Sequence, residues 1–258
     1  MRGVVLCLVL ALLLPGCASK YGEAHTQVHY YPACYRPIKD LRDREYSVEK
    51  KTAAGAVIGA FGGAMLGFLS TGKVEGALVG GVAGAATGAV VGNIYAKKQQ
   101  IRDDNRRLAS YYEELDGEIQ GLNAVSAAAK VSLQCYDGEF QDLLQDIKAR
   151  RVTRREAEER FGEIASGRDE AIKLLGKAIT YGRDLDAQYE KAFVQEEQTL
   201  RRQPAKARAS SVAFTRAKQQ KKTFAKRVAE VAKEKDSAQA KSFANERTFS
   251  QQLEEIDA

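Results

Sequence analysis

The sequence predicts an all-α protein: a membrane-inserted helical hairpin striped with glycine, then an antiparallel coiled-coil or helical bundle of two to three long helices. Three observations carry this. Glycine recurs every four residues at Gly55, Gly59, Gly63 and Gly67, and again at Gly76, Gly80, Gly84, Gly88 and Gly92. From Ile94 onward apolar residues recur alternately three and four apart, the period of a coiled-coil seam. Trp is absent and Pro occurs only four times in 258 residues, while the plentiful Ala, Glu, Lys, Gln and Arg are strong helix formers. No alternating pattern long enough for a strand is present.

The elements follow in chain order. Arg2 and the apolar run Val4 to Leu14 have the layout of a secretory signal, assigned to residues 1–16. Leu14-Pro15-Gly16-Cys17 resembles a bacterial lipobox, which makes Cys17 the mature N-terminus and the site of lipidation by palmitate and diacylglycerol. An ordinary signal peptide with an incidental cysteine is the alternative. Ala18 after the cysteine implies sorting to the outer membrane.

With Cys7 removed in the signal and Cys17 lipidated, Cys34 and Cys135 are the thiols left in an oxidising compartment, and they form a candidate disulfide. A ring of about 100 residues is worth up to ~4.7 kcal/mol by chain entropy. Geometry limits the idea, because a straight helix from Asn93 carries Cys135 roughly 63 Å away at about 1.5 Å per residue. Pairing therefore demands a nearly taut N-terminal segment or a helix break, for which Gly117, Gly121 and Asn123 are candidates. The alternative is an unpaired structural Cys135.

Residues 17–52 read as an extended linker, since Tyr30, Tyr31, Pro32, Tyr35 and Pro37 oppose a helix. His25 and His29 are four apart, but two ligands do not make a structural zinc site, and no metal or cofactor is expected. Residues 53–95 form the glycine hairpin, split by the polar turn Ser70 to Glu75. Helices of about 17 and 20 residues span roughly 25 and 30 Å, close to the ~30 Å hydrocarbon core. The ends then lie on one side, with Lys50, Lys51, Lys97 and Lys98 at the interface. Glycine at four-residue spacing lets backbones approach closely, which replaces the hydrophobic effect inside lipid. Gly67 to Val74 nearly spells a phosphate-binding loop, but Val74 lacks the hydroxyl for magnesium and the loop follows a helix.

On the lipobox at Cys17 and the repeats Gly55 to Gly67 and Gly76 to Gly92, the chain resembles the glycine-zipper outer-membrane lipoproteins of the SlyB and rickettsial surface-antigen type. The resemblance spans the signal and about 45 further residues. It implies an outer-membrane hairpin that self-associates and supports envelope integrity. The long C-terminal half has no counterpart in the short members.

Residues 96–202 read as an antiparallel coiled-coil hairpin. Its first seam runs through Ile101, Leu108, Tyr112, Leu115, Ile119, Leu122, Ser126, Ala129, Leu133, Tyr136, Phe140, Leu143 and Ile147. Thr153 and Glu156 form a capping box that starts the second helix. Phe161, Ile164, Ala171, Leu175, Ala178, Leu185, Tyr189 and Ala192 continue the seam until Pro204 breaks it. Residues 203–258 form a basic C-terminal helix, because Arg201 to Lys241 holds thirteen Lys or Arg against three acids. Lys218, Lys221, Lys222, Lys226 and Arg227 are the candidate contacts to an anionic envelope surface or protein partner, an ordinary solvated basic face being the alternative.

No nucleophile sits beside a plausible base, so an enzyme is not expected. The function expected is that of a structural lipoprotein of the bacterial cell envelope, anchored in the outer membrane and facing the periplasm. It contacts membrane lipid, assembles as a homo-oligomer and has no nucleic-acid partner. The alternative is a periplasmic coiled-coil adaptor of a secretion, efflux or surface-appendage machine.

Overall fold

The computed structural model describes residues 26–41 and 94–257. Five helices are found there: α1 (residues 32–41), α2 (Ile94–Lys98), α3 (Asp104–Lys148), α4 (Arg154–Arg202) and α5 (Pro204–Asp257). The described residues contain no strand. None of these helices is long and apolar enough to cross a membrane. The glycine stripes, the hairpin they define and Cys17 lie outside the described residues.

Helices α3, α4 and α5 pack together as an up-down-up bundle. Tyr111 meets Phe193 at 5.1 Å and Phe140 meets Phe161 at 5.7 Å, so α4 runs antiparallel to α3. Phe193 meets Phe214 at 6.0 Å and Phe161 stacks on Phe249 at 3.9 Å, so α5 turns back again. Gln220 reaches Asp116, Arg227 reaches Asn123 and Lys241 reaches Asp137, each pair 104 residues apart. That constant offset means α5 lies parallel to α3 in one register along its length. The basic segment is thus the third member of the bundle, not a separate helix beside a two-helix hairpin.

A third helix explains the width of the buried stripe. A seam facing one partner needs two apolar positions in seven, whereas a helix facing two partners needs a broader face. Leu108, Leu115, Leu122, Ala129, Phe140 and Leu143 of the expected seam are buried, and Tyr111, Val125 and Ser132 beside it are buried as well. Tyr111 takes the interior position assigned to Tyr112, whose ring instead lies 5.3 Å from the Arg216 guanidinium. Each fully buried Leu or Phe contributes roughly 1.5–3 kcal/mol relative to exposure. Gly182 keeps α4 close to α5, because a Cβ there would come within 2.6 Å of Val228 Cγ2.

The connections are short and capped. At the end of α3 the Arg151 amide donates to the Asp146 carbonyl and the Arg150 amide to the Ile147 carbonyl, with Arg150 left-handed at φ 53°. This is a Schellman closure with arginine in the position usually given to glycine. Thr153 Oγ1 then accepts from the Glu156 amide at 3.2 Å, as the capping box predicts. Pro204 is the first residue of α5, where its missing amide hydrogen costs nothing.

Two expectations fail here. Helix α3 passes Gly117, Gly121 and Asn123 without interruption, because the glycines sit buried in a packed helix where tertiary contacts outweigh propensity. The interruption lies earlier, at residues 99–103 between α2 and α3. The segment expected to be an extended linker is also helical from 32 to 41. Pro32 opens that helix at a position suited to proline, and Cys34, Ile38 and Leu41 are buried against the bundle, which offsets the hydrogen bond lost at Pro37.

Candidate functional site

Residues 42–93 carry both glycine stripes, and the described chain resumes on either side of them. Both flanks are fastened to the bundle, and these two anchors form the candidate site.

The first anchor is built by residues 26–41. Cys34 and Cys135 are joined in a disulfide with Cα atoms 5.1 Å apart. Just before it, three successive amides converge on one carboxylate: His29 and Tyr30 donate to Glu163 Oε2 at 2.8 and 2.6 Å, and Tyr31 to Glu163 Oε1 at 2.8 Å. Three such bonds fix the backbone of the segment. Two turns along α4, Glu170 accepts from the Thr26 hydroxyl at 2.7 Å and the Tyr35 hydroxyl at 3.0 Å. The Arg160 guanidinium donates to the Tyr31 hydroxyl at 2.8 Å and to Asp146 at 2.9 Å. Tyr136 behind the disulfide lies against Gly167, where a Cβ would meet its ring at 2.2 Å.

The second anchor is built by α2 and the turn after it. Glu196, fully buried, accepts from Arg107 through Nε at 2.9 Å and a terminal nitrogen at 3.2 Å, from Gln99 at 3.2 Å and from Tyr111 at 3.3 Å. Arg107 also pairs with Asp104 at 2.7 Å. Burial disfavours its charge, but Glu196 and Asp104 together raise its pKa above the ordinary value. Lys98 pairs with Glu114 and lies 5.3 Å from the centre of the Tyr111 ring. It is 6% exposed, so it is an interior residue rather than the interfacial one expected. Tyr95 bonds Thr199 at 2.8 Å, tying α2 to α4.

Beneath this anchor the polar chain continues inward. Tyr189 donates to Glu114 at 3.0 Å, and Tyr181 to Glu118 at 3.0 Å. The second oxygen of Glu118 has no partner. Burial pushes the Glu118 carboxyl up to about 8, against the Tyr181 hydrogen bond and with a contribution from Glu114. Farther along, Arg168 is buried between Asp137 and the Ala238 carbonyl, and burial lowers its pKa.

Of the predicted site residues, Cys34 and Cys135 are brought together. Cys17 and the nine glycines lie outside the described residues, as does His25. Among the described residues Cys34, Cys135 and Glu139 have metal-ligand spacing, but the sulfurs are bonded to each other, which leaves no thiolate for an ion. The basic contacts on α5 are mostly occupied within the bundle. Lys218 pairs with Glu197 at 3.2 Å, Lys221 with Asp186 at 3.4 Å and with Glu190, Lys226 with Glu230 at 3.9 Å and Arg227 with Glu234 at 3.0 Å. Lys222 is exposed.

Residues 1–96 match the YMGG-like Gly-zipper family. The matched part holds the whole glycine segment, α1 and the start of α2, and it ends just before the bundle. The match points to a membrane-associated envelope protein. No curated protein and no solved structure matches the chain.

The sequence reading missed Glu163, Glu170, Glu196, Arg107 and Glu118. A signal existed for one of them. Leu185, Tyr189 and Ala192 are seam positions, and Glu196 falls on the same three-four spacing, so an acid was written into a core register. Arg168 falls likewise between Ile164 and Ala171.

Proposed function

We propose that this is a structural envelope lipoprotein whose glycine segment packs as a membrane hairpin, self-associates there and supports outer-membrane integrity, with the three-helix bundle as its body in the periplasm. The observation that carries the reading is that the family match covers the whole glycine segment while the bundle anchors both of its flanks. Two anchors on one bundle fix the points at which both ends of such a hairpin leave it. The role proposed is not enzymatic: Glu118, the carboxyl with the raised pKa, is buried inside the bundle with Tyr181.

The test is the Cys17→Ser variant, which has no lipid anchor, in a sodium carbonate wash of membranes. Retention supports an integral hairpin. Complete extraction overturns it and favours the second reading, an adaptor bundle docked on an envelope machine. In crosslinking of the retained protein, Gly84→Leu is expected to collapse the oligomer ladder, since a large side chain forces glycine-packed helices apart.

A further inference from the structure

The two ends of the bundle differ in charge. At the end where α2 leads in, residues 99–108 and 199–210 hold seven Lys or Arg against two acids. At the opposite end, residues 142–158 and 248–254 hold five of each. Arg102, Arg106, Arg202 and Arg208 are exposed and have no acidic partner among the described residues. The two acids of this end are engaged: Asp103 caps α3 by accepting from the Arg106 amide at 2.7 Å, and Asp104 holds Arg107. Helix α5 begins here without an acid in its first turn, so its positive end is not neutralised locally.

A polar cleft of about 220 Å³ opens at this end. Arg102 and Lys206 line it, together with Asp104, Gln99, Thr199 and Gln203, and Lys206 stands 3.8 Å from Asp104. An exposed arginine fork with no acidic partner among the described residues, beside an ammonium held by a carboxylate only at 3.8 Å, offers the charge that a phosphate takes. Position adds to chemistry. Gln99 is six residues past the end of the glycine segment, about 9 Å if that stretch is helical. The headgroup layer on each face of a bilayer is roughly 5–8 Å deep.

Resting on the membrane-hairpin reading, we propose that this end of the bundle sits on anionic lipid headgroups and that the cleft between α2, α3 and the α4–α5 corner seats a headgroup phosphate. The docking face is then the bundle end, not the flank of α5 carrying Lys218 to Arg227, whose cations are mostly spent on neighbouring acids. Each cation brought to an anionic surface strengthens binding roughly fivefold.

Trypsin reads the contact directly, because each end has an exposed breakable arginine site: Arg201-Arg202 before Gln203 here, and Arg150-Arg151 at the other end as an internal reference. The full chain is reconstituted in phosphatidylcholine vesicles with and without phosphatidylglycerol. The result expected is several-fold slower cleavage after Arg202 relative to Arg151 in the anionic vesicles only, and loss of that protection in Arg102→Gln/Lys206→Gln. Equal ratios in both lipids overturn the proposal, as does protection that survives in the double variant. Equal protection by inorganic phosphate in detergent overturns the headgroup assignment in favour of a free phosphate. A carbonate wash of the same vesicles separates the two readings: retention with unchanged ratios overturns the phosphate seat alone, and extraction with a shifted ratio overturns insertion alone.

Discussion

At the Cys34 anchor the chain is held by a covalent bond and by backbone amides on Glu163, whereas at the Lys98 anchor it is held by side chains gathered around Glu196 and Glu114. The first grip rests on the bond and on amides, which belong to every residue but proline, with the Thr26 and Tyr31 hydroxyls adding to it. The second depends on every member, because an ion buried without its partner costs several kcal/mol. The two flanks of the glycine segment thus answer to different conditions, one to reductant and the other to proton concentration and to single substitutions.

Breaking the first grip should have the largest effect. Cys135→Ser is expected to lower unfolding free energy by up to ~4.7 kcal/mol, the chain-entropy value for a ring near 100 residues, and a mild reductant should do the same to the native protein; urea titration checks both. Glu196→Ala should follow closely, at about 3–5 kcal/mol, because it strands the buried Arg107. Hydrogen exchange distinguishes the two: the first variant frees the amides of Tyr30 and Tyr31, the second those around α2.

The proton dependence comes next and sharpens the contrast. The Glu118 carboxyl titrates near 8 in the folded bundle and near 4.5 unfolded. Its pKa is raised, so the stability it contributes is present in full below about 4.5 and is lost as pH rises through about 8. Melting temperature should therefore fall between about pH 5 and pH 9, and Glu118→Gln should flatten that slope and melt higher at the alkaline end. The smallest effect lies away from both anchors. Arg150→Gly should raise stability by about 1 kcal/mol, since a non-glycine residue in the left-handed region costs ~1–2 kcal/mol; a shifted urea midpoint with unchanged slope is the check.

The helices were legible in the sequence because their signals are local and periodic: the three-four spacing, Thr153 at a cap and Pro204 at a break. The disulfide was legible as a candidate from cysteine arithmetic alone. What stayed hidden was long-range. Whether α5 stands apart or completes a bundle depends on Phe214, Phe224 and Phe249 meeting residues on α3 and α4, which no window of sequence contains. The helix at 32–41 was concealed by Pro32 and Pro37, whose local cost is outweighed by burying Cys34 and Ile38. Glu163 looks like any solvated acid of a charged helix until the N-terminal amides arrive from more than 130 residues away.

The Cys34–Cys135 bond also sets a route for force. Tension on the chain before Cys34 crosses directly into α3 at Cys135 and never passes through residues 42–93, which lie within the covalent ring that the bond closes. A single cut anywhere in that ring leaves the chain before Cys34 and the bundle on one molecule until the bridge is reduced. Residues 42–93 are therefore relieved of load while the bond bears the pull.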